Sequence, residues 1–288
     1  MDMAMISAPD GCRLYVEDTG RGVPILFLHE FAGDHRAWEP QVRRFSRSNR
    51  CITFAARGYL PSDVPNEPER YGQEAALADA IAILDALDIE RAHIVGHSMG
   101  AYTALHVGLR YPERCLSVAA LGCGWGSSPG EREAASKSCD DIAGLFRENT
   151  IAEAAAAYAR FPMRKTFEAK DPRGFAEFEA MLAEHSREGS VHTMLRLQKL
   201  RPTLTDLEED LKGFTPPLLV LLGDEDHPCI DGSIMLKRTV PTAALAMIPR
   251  AGHTVTLEEP AAVNAELETL FAAVAQGSWM CHKDRLEA

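Results

Sequence analysis

Residues 92–114 read AHIVGHSMGAYTALHVGLRYPER. His93–Val95 is a short run of strand length, and the chain after Gly100 continues as a helix. Between them stands Gly96-His97-Ser98-Met99-Gly100, the pattern Gly-x-Ser-x-Gly. In a strand–turn–helix setting this pattern presents the serine on a strained turn, with tiny residues on either side where neighbouring chain passes close. The helix that starts here turns its unpaired N–H groups and positive end towards the same place. An ordinary glycine-rich turn between a strand and a helix has a similar pattern, so the serine needs partners elsewhere in the chain.

Outward from this turn, short apolar runs alternate with helical patterns, and no internal repeat is visible. The strand-like runs are Ile25–Leu28, Cys51–Phe54, His93–Val95, Leu116–Leu121, Leu218–Leu222 and Leu245–Ile248. Near-continuous apolar runs of this length suit parallel strands covered on both faces. Gln73–Asp88 places Ala76, Ala80, Ile83, Leu84 and Leu87 at helical spacing. The alternation predicts an α/β fold with a mostly parallel sheet and helices on both faces. It fails between about Trp125 and Lys212, where the chain reads as helical throughout. The expected organisation is a core of 1–124 and 214–276, an inserted helical lid at 125–213 and a C-terminal tail at 277–288.

A serine hydroxyl needs a base, and the base needs an acid to hold its tautomer. LLVLLGDEDHP (218–228) is a buried strand and a glycine followed by acids at 224, 225 and 226. MIPRAGHTVTLEEP (247–260) is a strand, a glycine turn and then His253. Ser98, acid, His253 is the chain order used by serine hydrolases of α/β type. Spacing alone leaves both Asp224 and Asp226 open as the acid.

On these residues the sequence resembles the α/β-hydrolase superfamily, over 20–125 and 214–275, about two thirds of the chain. GHSMG and AGH carry the resemblance, with the His29-Glu30-x-x-Gly33 run, Trp38 and ARGYLPSD (56–63). The last piece is similar to the family's D-x-R-G-x-G-x-S loop, with Ala55 in place of the Asp. The resemblance implies an α/β-hydrolase fold and selects Asp226, three residues after the strand-ending glycine. It also implies an oxyanion hole from two backbone N–H groups, those of Met99 and Phe31.

Glu30 stands where the family usually has glycine, a position that favours glycine because backbone packs tightly there or needs positive φ. Two readings compete. Either the loop keeps its shape and the side chain swings out to solvent or to a nearby arginine, or the carboxylate lies within the pocket mouth and helps position substrate. The expectation is that Phe31 N–H completes the oxyanion hole and Glu30 touches the pocket edge.

The other histidines have plain readings. His97 flanks the nucleophile but points away from it, and His29 braces loops. His93, His106, His185, His192 and His227 show no metal-ligand spacing, so neither a metal nor a cofactor is expected. A role for His227 beside Asp226 is the one exception considered. In the lid, REGSVHTMLRLQKLR (187–201) holds four basic residues and one acid, with Ser190 able to cap a helix. Arg196, Lys199 and Arg201 suit a solvated face. Alternatively one of them, Arg196 first, pairs with a substrate carboxylate. Trp125, at the mouth of the insertion, is the other candidate for substrate contact.

The totals exclude several classes. A net charge of −12 in 288 residues disfavours nucleic acid and anionic membrane as partners. No apolar run approaches the roughly 20 residues of a membrane span. Seven scattered cysteines without a C-x-x-C pair, and a start that lacks signal-peptide regions, predict free thiols and a cytoplasmic protein. The oligomeric state stays open, with a homodimer among the options.

A serine nucleophile, by the resemblance, speaks against epoxide hydrolases and haloalkane dehalogenases. The expected partner is a small-molecule substrate, and the expected reaction is hydrolysis of a small carboxylic ester or lactone through an acyl-enzyme on Ser98. A C–C hydrolase of ring-fission products and a cofactor-free perhydrolase would use the same residues. The non-enzyme reading is a hydrolase-like ligand receptor.

Overall fold

A computed structural model describes residues 1–127 and 130–281. Its strands are β1 (Asp2–Ser7), β2 (Arg13–Gly20), β3 (Val23–Leu28), β4 (Asn49–Phe54), β5 (Ala92–His97), β6 (Cys115–Leu121), β7 (Leu218–Gly223) and β8 (Ala243–Ile248). They form one sheet in the order β1-β2-β4-β3-β5-β6-β7-β8. β1 and β2 pair antiparallel, as do β2 and β4, and every other pairing is parallel.

All six expected strands are present, and β1 and β2 are additions. β1 leaves five of its six residues exposed and buries Ile6 alone. β2 buries only Leu14 and Val16, in alternation. Antiparallel strands at a sheet edge face water on one side, so they carry no continuous apolar run. The alternating Leu14-Tyr15-Val16 was the signal available.

The helices are α1 (Glu39–Phe45), α2 (Gln73–Ala86), α3 (Met99–Arg110), α4 (Arg132–Glu148), α5 (Ile151–Ala159), α6 (Lys165–Lys170), α7 (Pro172–Leu182), α8 (Arg187–His192), α9 (Glu208–Leu211), α10 (His227–Thr239), α11 (Val255–Glu258) and α12 (Pro260–Ala275). Successive strand side chains point to opposite faces. Ile25 and Phe27 therefore pack with Phe45 of α1 and Leu267 and Leu270 of α12. Leu26 and Leu28 pack on the other face with Leu77 and Ile83 of α2 and Leu105 of α3. Fully burying each such side chain contributes about 1.5–3 kcal/mol. In α2 the buried stripe holds Leu77, Ala80, Ile83, Leu84 and also Asp79, whose carboxylate receives two hydrogen bonds from buried Arg57.

Between β6 and β7 the chain leaves the sheet and builds α4 to α9, with a π-helical turn at Thr193–Gln198. Phe146, Tyr158, Phe167, Phe178 and Leu182 of this segment form a third cluster with Phe31, Tyr59 and Met99, which lie beyond the strands' C-terminal ends. The cap of α8 differs from expectation. Ser186 caps it, its hydroxyl accepting from Gly189 N–H at 3.1 Å. Ser190 sits inside the helix and donates to Ser186 O at 2.8 Å. The helix begins a turn earlier because Ser186 is extended while Arg187–His192 is already helical. Of the expected tail, Trp279 docks by donating from Nε1 to Thr242 O at 2.8 Å, and residues 282–288 lie outside the described residues. Among the described residues no helix is long and apolar enough to cross a membrane.

Candidate active site

The parallel register aligns the C-terminal ends of β3, β5, β6 and β7, pairing Leu28 with Gly96, His97 with Leu121 and Leu121 with Leu221. Open α/β sheets bind ligands beyond this edge. Glu30, Ser98, Asp226 and His253 all follow strands there.

Sterics explain the glycines around Ser98. A Cβ on Gly100 would lie 2.1 Å from Leu28 O, and one on Gly96 would lie 2.2 Å from Gly100 O. Ser98 has φ 52° and ψ −108°, a conformation that costs about 1–3 kcal/mol for a residue with a side chain. Its N–H donates to Leu121 O at 2.8 Å, and its carbonyl accepts from Ala101 N–H at 3.0 Å, so sheet and helix hold it from both sides. Gly100→Ala is accordingly expected to push α3 off β3 and lower the unfolding free energy by several kcal/mol, of the order of overpacking plus lost contacts. Urea unfolding measures this, and a fall under 1 kcal/mol would contradict it.

Ser98 Oγ lies 2.9 Å from His253 Nε2, and His253 Nδ1 lies 2.8 Å from Asp226 Oδ2. Asp226 is fully buried. Burial raises the pKa of its carboxyl, but the adjoining His253 outweighs that and holds it below the usual carboxylate range. Asp224 is elsewhere: its side chain accepts from Arg250 N–H and ties down the turn before Ala251. His227 is exposed and lies 3.6 Å from Glu225, away from the imidazole. Ser98 itself is half-buried and open to approach.

The histidine is held by its backbone. His253 N–H donates to Met163 O at 2.9 Å, from the inserted segment. His97 Nε2–H donates to His253 O at 2.7 Å. Burial lowers the His97 pKa to about 4, so it is neutral. It points away from Ser98, as expected, and braces the loop that carries His253. His29 links loops too: Nδ1–H donates to Glu30 O at 2.7 Å and Nε2 accepts from Ala56 N–H at 3.0 Å.

Glu30 is where expectation and structure differ most. Its side chain does not reach solvent; it is 3% exposed, with Oε2 3.9 Å from His253 Nε2. It does meet an arginine, but a fully buried one, Arg164, which donates to Oε2 from Nη2. Arg164 was not singled out in the sequence, and nothing local distinguishes it from a surface arginine. It follows Met163, the residue docked on His253. Nε and Nη1 of Arg164 are buried without a hydrogen-bond partner among the described residues, and its Cζ lies 5.0 Å from the Tyr158 ring centroid.

Breaking such a pair leaves an uncompensated buried charge, at a cost of about 3–5 kcal/mol. Arg164→Met should lower stability by that order in urea unfolding, and adding Glu30→Met should recover most of it. Failure of the second change to restore stability would mean that packing, not charge, dominates.

The other two candidates for substrate contact, Trp125 and Arg196, have neighbours in the inserted segment. Trp125 is half-buried, packs against the cluster that holds Phe31 and Met99, and lines a small cavity with Tyr102 and Arg201. Arg196 is half-buried, with its carbonyl near Gly72 and its Nε buried without a hydrogen-bond partner among the described residues. Lys199 pairs with Asp140 at 2.6 Å. Arg201 is not solvated: it is 7% exposed, with Cζ 3.6 Å from the Tyr102 ring centroid. Lys199 is taken up by Asp140, while the short turn Pro162–Arg164 carries the buried Arg164 that bonds Glu30.

Phe31 and Met99 frame Ser98. Met99 opens α3, and Phe31 is pinned by Tyr59 Oη, which donates to its carbonyl at 3.0 Å, and by edge contacts with Phe146 and Tyr158. Among the described residues neither backbone N–H has an acceptor. The residues spaced to hold a metal ion are Asp226, Cys229 and His253, whose donor atoms lie within 4.8 Å of one another. The hydrogen bond between His253 and Asp226 already uses two of these donors.

Comparison with known proteins agrees with the fold. The chain is 28% identical over 271 residues to the AB hydrolase superfamily protein YisY of Bacillus subtilis, covering 90% of this chain and 96% of that one. It is 27% identical over 265 residues to 3-oxoadipate enol-lactonase 1 of Acinetobacter baylyi, with 89% and 92% covered. A solved thermophilic esterase from Thermogutta terrifontis superposes with a TM-score of 0.83 at 24% identity, over 95% of this chain and 99% of the other. The family model for the alpha/beta hydrolase fold matches residues 23–260, and the chain therefore belongs to the alpha/beta hydrolase family and is a hydrolase.

Proposed function

We propose that this protein hydrolyses small carboxylic esters or lactones through an acyl-enzyme on Ser98. The observation that carries the reading is the unbroken chain from Ser98 Oγ to His253 (2.9 Å) to Asp226 (2.8 Å) on a strained, half-exposed turn. Ser98 Oγ attacks the carbonyl carbon and passes its proton to His253 Nε2. Asp226 holds the tautomer and stabilises the imidazolium. The N–H groups of Phe31 and Met99, without acceptors among the described residues, receive the oxyanion. His253 gives its proton to the leaving group, and water then repeats the sequence to release the acid.

The helices of 125–213 act as the lid, with Thr193 and Leu197 lining a cavity beside Met99 and Gly100, next to the nucleophile turn. The likeness to an enol-lactonase and to esterases favours the ester and lactone class. The cysteines, all free, six buried and one partly so, are consistent with a cytoplasmic home. A panel of p-nitrophenyl esters, lactones and ring-fission products, assayed with the purified protein, tests the reading. Turnover of esters or lactones is expected, and exclusive turnover of ring-fission products would overturn it.

A further inference from the structure

His253 has a second carboxylate beside it. Asp226 bonds Nδ1, while Glu30 Oε2 stands 3.9 Å from Nε2, on the side where the reaction occurs. An anion there is unfavourable while an oxyanion forms. Arg164 offsets it: it is fully buried, bonded to Glu30, and stacked near Tyr158. Burial pushes the Glu30 carboxyl up, but the Arg164 guanidinium bonded to it outweighs this and holds it below the usual carboxylate range. A buried carboxylate held in this way can do something that a glycine at this position cannot.

Deacylation supplies the need. Once Ser98 carries the acyl group, Oγ no longer donates to Nε2, and the hydrolytic water takes that place. One of its hydrogens points to Nε2, and the other needs an acceptor in a site with few to offer. An oxygen about 2.8 Å from both Nε2 and Glu30 Oε2 would see them roughly 90° apart, given their separation of 3.9 Å. That is close to the angle between water's own O–H bonds. A carboxylate oxygen has lone pairs for Arg164 and for water together.

We propose that Glu30 is a catalytic residue of deacylation, accepting the second hydrogen bond of the water that His253 activates. Arg164 is its positioning residue. This rests on the acyl-enzyme reading above. The water oxygen bonds to the acyl carbon as its proton passes to Nε2. The resulting oxyanion collapses, the bond from carbon to Ser98 Oγ breaks, and Oγ takes the proton from Nε2. The product is the carboxylic acid, and Glu30 neither gains nor loses a proton.

The test separates the two half-reactions. Glu30→Gln and the charge-balanced pair Glu30→Met with Arg164→Met are mixed with p-nitrophenyl acetate. Stopped flow follows p-nitrophenol release, and quenched samples are read by mass spectrometry for acetyl-Ser98. Release of the first equivalent is expected within threefold of the unaltered protein. Steady turnover is expected to fall tenfold or more, with acetyl-Ser98 accumulating. Retained acylation shows that the site is folded, and the double variant covers the case in which Glu30→Gln alone does not fold. Turnover within threefold in a variant that acylates normally overturns the proposal, as does equal loss in both phases. Absence of acetyl-Ser98 in every form, with activity intact, would instead overturn the acyl-enzyme reading beneath it.

Discussion

Ser98→Ala is expected to lower kcat on the best ester by about 10⁶-fold, leaving only the contribution of binding and the oxyanion donors. In transition-state free energy that is about 8 kcal/mol. The size follows from position: Oγ is bonded to His253 Nε2 at 2.9 Å, on a backbone held strained to present it. Progress curves measure the loss, and a fluorophosphonate should modify the unaltered protein at Ser98 and leave the variant unmodified. Because the residues act as a unit, His253→Ala in the Ser98→Ala background should cost less than a further tenfold. A Ser98→Ala variant that keeps more than a hundredth of the activity would mean that another group attacks the substrate.

Asp226→Asn carries the next largest effect, a fall in kcat of about 10⁴-fold. An amide keeps the size and can still bond the imidazole, but as a donor it favours the tautomer with the proton on Nε2, which cannot accept from Ser98. Asp226 is 2.8 Å from Nδ1 and fully buried, so no solvent group can substitute. Asp224→Asn is the matched control, because the Asp224 side chain bonds the backbone N–H of Arg250 and not the imidazole of His253. Its expected effect is under threefold. A crippled Asp224 variant beside a healthy Asp226 variant would reverse the assignment.

Much of the site was legible because its signals are local. Gly96 and Gly100 are required by approaches of 2.2 and 2.1 Å that any Cβ would block, so the serine turn announces itself in five residues. The strands buried on both faces, β3 to β7, appear as continuous apolar runs for the same local reason. The chain order of serine, acid and histidine also survives translation into one dimension. β1 and β2 were missed because antiparallel strands with a wet face lack such a run.

What only the tertiary structure decided concerns long-range placement. Asp224 and Asp226 end the same strand two residues apart, and the choice depends on how the β7 turn lies against the loop of His253. Arg164 enters the site because Met163 docks on His253 N–H and carries its neighbour inward. Glu30 finds that arginine across 134 residues. By composition alone a glutamate and an arginine belong at the surface. They are buried together here because pairing offsets much of the desolvation that either alone would suffer, and a partner so far along the chain leaves no periodicity or motif in the sequence.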